Sequence, residues 1–446
     1  MSDRPDAAGG SGWMLSGALA GAVIVGLVGL VAAFVMSRPE PALVGAPLLL
    51  AAALAWDRRP PTAGRGDDAT HAADAQTRVT VVADESAPAT STVPTLAVRI
   101  AATAVRRPDA VQLRLELGGE APVDLVLTPS AAARVSAEVP FVHSGRQRVA
   151  AAQARELGAD ASWASEPGER AQLERVVRPR RRPVRALPLP ARLLGLTGQH
   201  ISTRPGDGGE FRDVDLFHPG DRLRRIDWRA TARAGRAGEL YVRRTTATSD
   251  AAVHLVVDAR DDLSGVVADW SRAYPRPALS SLDVAREAAA SLAAAYAAAG
   301  DRVGFDDLGG AQRVLPPRAG ARHRERVLRA VELTTATGTL YQRVRSPRLS
   351  PGALVYILST FLDDQPVTLA LTWRAAGHRV IAVDVLPERD ARDLSTRERL
   401  ALRTVELERR LRLRRMQSGG VELMPWADAP AREAALRGLA GGRRRR

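Results

Sequence analysis

From Trp13 to Met36 the chain runs through apolar and small residues without a single charge. A helix crosses the hydrocarbon core of a bilayer with roughly 20 such residues, so this stretch alone is long enough to span. A cleaved signal peptide is the competing reading. Against it, the run is long for a signal's apolar region and no basic segment precedes it. Glycines at 17, 21, 26 and 29 would let a second helix approach closely.

A second helix is available. Ser37-Arg38-Pro39-Glu40-Pro41 breaks the pattern, Ala42 to Trp56 is apolar again, and Asp57-Arg58-Arg59-Pro60-Pro61 ends it. This run is short for a span, and a re-entrant or interfacial segment is the alternative. A helical hairpin accounts for two further features. Trp13 opens the first run and Trp56 closes the second, which puts both indoles at one interface. Arg58 and Arg59 follow directly, as cytoplasmic positive charge does. The expectation is a cell-membrane protein with two spanning helices, 13–36 and 42–56, and both termini cytoplasmic. Were only the first run to span, residues 57–446 would lie outside.

The 446 residues are enough for two or three domains, and 45% apolar content can build their cores. Net charge is +14, and arginine supplies all 64 basic residues, because the chain has no lysine. That bias, with Ala, Gly and Val abundant throughout, fits a GC-rich genome better than dedicated nucleic-acid binding. Absence of cysteine excludes disulfides, thiolate metal sites and cysteine nucleophiles.

Residues 1–12 read as a tail and 57–76 as a linker rich in Pro, Gly and Asp. Residues 77–177 then show short alternating runs, such as Val111-Gln112-Leu113-Arg114-Leu115-Glu116-Leu117. Period-two patterning with frequent turn residues implies a β-sandwich-like domain. Residues 195–210 read as irregular. From 251 to 430 the pattern is α/β: Val253–Val257, Arg302–Phe305, Ala353–Ser359, Arg379–Val385 and Val421–Met424 as strands. Ser281–Ala299, Arg322–Leu333, Pro366–Ala376 and Ser395–Met416 read as helices between them. Alternation of this kind implies a doubly wound parallel sheet, with ligands bound beyond the carboxyl ends of its strands. That rule singles out 258–262 and 359–364. Residues 431–446 read as a basic tail.

Between the two domains, 178–250 holds the densest stretch: Asp215-Leu216-Phe217-His218-Pro219-Gly220-Asp221-Arg222-Leu223-Arg224-Arg225-Ile226-Asp227-Trp228-Arg229-Ala230-Thr231-Ala232-Arg233. One reading is a positive docking face for an acidic partner. The other is an internal web of arginines with Asp215, Asp221, Asp227 and Glu239 around a buried Trp228. The second is preferred for Asp227 and Trp228, while Arg224, Arg225 and Arg229 stay open.

This stretch resembles the signature of the domain-of-unknown-function 58 family, in which an aromatic-x-Pro-Gly-Asp turn leads to Arg-x-Ile-x-Trp, then Ala-Arg and Leu-x-Val-Arg. Phe217, Pro219, Gly220, Asp221, Arg225, Ile226, Trp228, Ala232, Arg233, Leu240, Val242 and Arg243 match it. The resemblance implies a von Willebrand factor A-like domain at 251–430. It also implies a membrane-tethered, cytoplasmic partner of a MoxR-type AAA+ ATPase, an adaptor or assembly protein and not an enzyme.

Metal-binding von Willebrand A domains hold Mg²⁺ with Asp-x-Ser-x-Ser, a loop Thr and a later Asp. Here the first motif reads Asp258-Ala259-Arg260-Asp261-Asp262, with Thr337 or Thr339 as the Thr and Asp363 or Asp364 as the later Asp. Arginine cannot ligate a cation and its charge opposes one. The expectation is a degenerate site in which Arg260, set among Asp258, Asp262 and Asp363, substitutes for the cation. The alternative is an Arg260 that points to solvent beside a weak Mg²⁺ site.

Other chemistries lack their residues. No His pair has metal-ligand spacing, and His254 reads as a core residue. A phosphate loop is excluded without lysine, and no Gly-x-Ser-x-Gly elbow occurs. The rival class is a basic protein binding nucleic acid or anionic surfaces through Arg178–Arg192, Arg222–Arg244 and Arg443–Arg446. Few aromatics interleave with these arginines, so no nucleic acid is expected. A metal-dependent hydrolase would rest on Asp258, Asp262 and Asp363 alone.

Overall fold

The computed structural model describes residues 13–58, 77–84, 95–104, 108–128, 133–158, 161–193, 198–234, 238–272, 278–310, 313–338 and 347–441. The expected 1–12 tail, nearly all of the linker, Thr339 and the four terminal arginines lie outside them. The chain divides into two compact units, one of residues 1–142 and 147–175, the other of 143–146 and 176–446.

In the first unit, α1 (Gly17–Met36) and α2 (Glu40–Asp57) are both long and apolar enough to cross a membrane. The second helix is longer than its apolar run, because Glu40 and Pro41 fit the first turn, where an N–H has no helical acceptor. The two helices meet on glycine. A Cβ on Gly45 would lie 2.7 Å from the Gly26 carbonyl oxygen, and one on Gly29 would lie 3.2 Å from the Gly45 Cα. Gly17 and Gly21 face open space.

In the same unit, β2 (Arg78–Ala83), β3 (Thr95–Thr103) and β6 (Ala133–Pro140) form one antiparallel sheet. A second sheet holds β4 (Ala110–Leu117), β5 (Val123–Leu127), β7 (Gly145–Gly158), β8 (Trp163–Ala164), β9 (Ala171–Val177) and the short β1 (Met14–Leu15). Val98 and Ile100 of one sheet share a core with Val111, Leu113 and Leu115 of the other. Alternation along β4 put those residues inside, as the period of two requires. Trp163 ties this body to the helices: its indole N–H donates to the Ala55 carbonyl at 2.8 Å, and its ring lies 5.6 Å from that of Trp56.

In the second unit, β10 (His200–Leu216) and β11 (Tyr241–Ser249) form a long antiparallel hairpin with register shifts. This corrects the reading of 195–210 as irregular from His200 onward, while 195–197 lie outside the described residues. Polar and glycine residues hide the alternation there, and cross-strand backbone pairing makes the strand. The connection includes α3 (Trp228–Ala234).

The α/β part has β12 (Ala252–Val257), β13 (Arg302–Asp307), β14 (Leu315–Arg318), β15 (Leu354–Ser359), β16 (Arg379–Asp384) and β17 (Glu422–Pro425). Their order is β14-β13-β12-β15-β16-β17, all parallel except antiparallel β14 at the edge. Helices α4 (Ser281–Ala298), α5 (Ala321–Leu333), α6 (Gln365–Ala375), α7 (Thr396–Ser418) and α8 (Ala429–Gly441) complete it. Along β12, Val253, Leu255 and Val257 join the core containing α4, α5 and α8, while Val256 joins the core containing α6 and α7. Helices on both faces explain the continuously apolar strands. Helix α4 opens with a reciprocal capping box between Ser280 and Asp283, and Gly300 follows it at φ +79°.

One expectation at the end of this domain needs correction. The basic tail at 431–446 is helix as far as Gly441, with Leu436 in the core and Arg432 buried, its guanidinium donating to the Trp426 carbonyl. Upstream, the Pro- and Arg-rich segment 182–193 is a strap on the α4 side. Leu187 and Leu189 pack on the core, and Tyr296 donates its hydroxyl proton to the Pro188 carbonyl at 2.5 Å.

Candidate functional site

The first candidate lies where β12 and β15 end, at the point where the parallel strand order reverses, which is where doubly wound sheets bind ligands. Asp258 follows β12 directly and is 5% exposed; Arg260 is 2% exposed. The Arg260 guanidinium donates from Nε to Asp258 Oδ1 and from Nη2 to Asp258 Oδ2, both at 2.8 Å. It also reaches Asp363 Oδ2 at 2.7 Å and Gln365 Oε1 at 2.6 Å. Ser359, at the end of β15, donates to Asp258 Oδ2 at 2.8 Å. Burial opposes the charge on Arg260, but the hydrogen bonds to Asp258 and Asp363 outweigh it and push its pKa above the ordinary arginine value.

The loop that delivers Asp363 is strained. Phe361 is fully buried at φ +55°, a region that costs a bulky residue about 1–3 kcal/mol. Its N–H donates to Ser359 Oγ at 3.1 Å, which fixes the turn. Asp261 stands next to the pair and accepts from Thr360 Oγ1 at 3.2 Å. Burial first, and the Asp258 charge second, push its carboxyl up to about 6.

The other predicted ligands go elsewhere. Asp262 accepts the Leu282 N–H at 3.0 Å, in the first turn of α4, and does not touch Arg260. Thr337 donates its backbone N–H to the Ala259 carbonyl at 3.0 Å, and its buried hydroxyl oxygen has no partner among the described residues. Gln365 was missed, and no spacing signal marks it. Among the described residues no three His, Asp or Glu side chains are grouped to hold a metal. The donor set does not fit a hard cation: both Asp258 oxygens already accept hydrogen bonds, and a guanidinium lies between the two carboxylates.

The second candidate is the turn and helix between β10 and β11. Gly220 sits at φ +106°, which explains a glycine after Pro219. Asp221 closes the turn by accepting the His218 N–H at 2.9 Å. Asp227 caps α3: its Oδ1 accepts the Arg229 and Ala230 N–H groups at 3.1 and 3.0 Å. Its other oxygen lies 3.9 Å from Arg243, and Asp215 pairs with Arg244 at 2.6 Å. Ile226 bridges to Val242 across the hairpin.

These pairs do not enclose a tryptophan. Trp228 is 67% exposed and Leu223 is 69% exposed, so the expected burial of Trp228 is wrong. With Asp227 turned to the helix N-terminus and Ile226 to the hairpin, the next side chain projects outward. Arg224, Arg229 and Arg233 are exposed, and their guanidinium groups have no partner among the described residues. Arg225 is half-buried and does interact.

Both candidates fall in a segment with known relatives. Residues 213–419 match the family described as "Protein of unknown function DUF58". Uncharacterized protein Rv1480 of Mycobacterium tuberculosis and uncharacterized protein Mb1516 of Mycobacterium bovis are each 31% identical over 208 residues. The match takes in 44% of this chain and 60% of each relative, so the chain spans less than two thirds of their length. No solved structure matches.

Proposed function

We propose that this chain is a membrane-anchored, non-enzymatic adaptor that docks an acidic partner protein on the turn and helix around Trp228. The reading rests on one observation. A tryptophan two-thirds exposed stands among three exposed arginines whose charges no described residue neutralises. Exposed Trp and Arg are the residue types that dominate protein interfaces energetically. Unpaired positive charge also steers an acidic surface toward them. The resemblance to the DUF58 signature supports a MoxR-type AAA+ ATPase as that partner. Helices α1 and α2 support a two-helix anchor with both termini in the cytoplasm.

The strand-end cluster supports a von Willebrand A-like domain that has exchanged its cation for Arg260. In this reading Asp258, Arg260 and Asp363 hold the β12 and β15 loops together without Mg²⁺.

Crosslinking and co-purification from native membranes with ATP present tests the adaptor role. The expected result is recovery of an AAA+ ATPase, lost when Arg224, Arg229 and Arg233 are all changed to Glu. Recovery of nucleic acid instead, or of the ATPase regardless of these changes, would overturn the docking face.

A further inference from the structure

Helix α7 has a feature that neither candidate site uses. Of its 23 residues only Met416 is buried. Leu402, Val405, Arg409, Arg412, Leu413 and Met416 repeat at threes and fours and form the half-buried inner row. Opposite them stand Leu400, Leu407 and Leu411, 66%, 47% and 63% exposed. Spacings of seven and eleven return to within about 20° of the same direction, so the three leucines point squarely away from the domain. A surface helix ordinarily carries polar residues there.

Arginine borders this row. Each leucine is followed three residues on by an arginine: Arg403, Arg410 and Arg414. These three, with Arg397 and Arg415, are exposed and make no side-chain hydrogen bond or ion pair among the described residues. The inner arginines are occupied: Arg409 by Asp384 and the Thr360 carbonyl, Arg412 by Asp364.

The pattern discriminates among occupants. A coiled-coil seam through Leu400, Thr404, Leu407 and Leu411 meets threonine at its second position and arginine at 414, so it offers a partner helix less than two heptads of apolar contact. A second copy of α7 would bring eight arginines and three glutamates against the same set, and repulsion would part them. Single-stranded nucleic acid wants aromatic platforms, and α7 has none. An anionic bilayer surface wants what is present. Leucines enter the headgroup boundary, guanidinium groups meet lipid phosphates, and no register is required.

We infer that α7 docks flat on the anionic surface of the membrane that anchors the chain, with Leu400, Leu407 and Leu411 immersed and the five free arginines on lipid phosphates. The inference rests on the reading of α1 and α2 as the anchor, which holds the domain at high effective concentration near that surface.

Because the chain lacks cysteine, single labelling sites can be introduced in the full-length protein. An environment-sensitive fluorophore at Leu407→Cys is read in phosphatidylcholine nanodiscs with and without phosphatidylglycerol, using acyl-brominated lipid as quencher. Val31→Cys in α1 and Glu325→Cys on α5 are the references. The expected result is severalfold stronger quenching at 407 when phosphatidylglycerol is present, lost in Arg403→Glu/Arg410→Glu/Arg414→Glu, with none at 325. Position 407 as unquenched as 325, while Val31 is quenched, overturns the docking and leaves the anchor standing. A blue shift at 407 without lipid quenching also overturns it, because a protein would then cover the helix. An unquenched Val31 overturns the anchor itself.

Discussion

Arg260 and Arg229 lie 31 positions apart, both within the stretch that matches the family model, and have opposite circumstances. Arg260 is 2% exposed and meets Asp258, Asp363 and Gln365. Arg229 is exposed, beside a wet tryptophan, and its guanidinium meets no described residue. Composition cannot tell them apart. A buried guanidinium must be matched on nearly every N–H, so it organises the carboxylates around it. A solvated one keeps its bonding capacity for something else. The same residue type builds the domain in one place and stands in solvent in the other.

The comparison breaks most visibly at Arg260. Arg260→Ala leaves the buried Asp258 without its cation, and the expected loss is about 3–5 kcal/mol of unfolding free energy. Denaturant unfolding of the folded protein measures it; a loss under about 1 kcal/mol would mean the pair carries little.

A second paired site sharpens the contrast through pH. His143 Nδ1 lies 2.7 Å from Asp283, and that hydrogen bond raises the imidazole pKa despite partial burial. A raised folded pKa gives stability that is complete below the unfolded value of about 6.5 and is lost as pH rises through the folded value. His143→Gln should therefore lower the melting temperature at pH 6 and leave it nearly unchanged at about pH 9. Equal effects at both would show that the proton is not involved.

The smallest effects come from adjacent residues in the signature. Asp227→Ala removes the α3 cap and should cost about 1 kcal/mol. Trp228→Ala should change stability by less than about 0.5 kcal/mol while weakening partner capture severalfold. A large stability loss from Trp228→Ala would make it a structural residue after all.

Much of the α/β unit was legible because its signals are local. Runs such as Val253–Val257 are apolar on both faces, and Ser280 with Asp283 marks a helix start within four residues. Helix α1 declared itself by length and absence of charge, whereas the apolar run of α2 was short and its helix takes in Glu40, Pro41 and Asp57 at its ends. What escaped depends on distant partners. β10 becomes a strand only through its backbone bonds to β11, and the Pro-Pro sequence within β14 argues against a strand except at a sheet edge. At the site, Asp258, Arg260 and Asp363 could be brought together by the strand-end rule. Asp262 was misplaced because one step along the chain turned it toward α4, and Gln365 belongs to a helix start that no motif flags. Trp228 was misread because a tryptophan among paired charges suggests a core, whereas those pairs close a turn and a cap beside it.

The strap at 182–193 bears on how the chain can be cut. The Arg182 N–H donates to Ser291 Oγ at 2.8 Å, and Arg379 donates to the Leu189 carbonyl at 2.6 Å. A fragment begun at 251, where the strand pattern starts, would uncover Tyr296 and the leucine-lined floor beneath the strap. Its poor behaviour would then be an artefact of trimming. A recombinant piece meant to stand alone should begin upstream of Arg182 and run through Gly441.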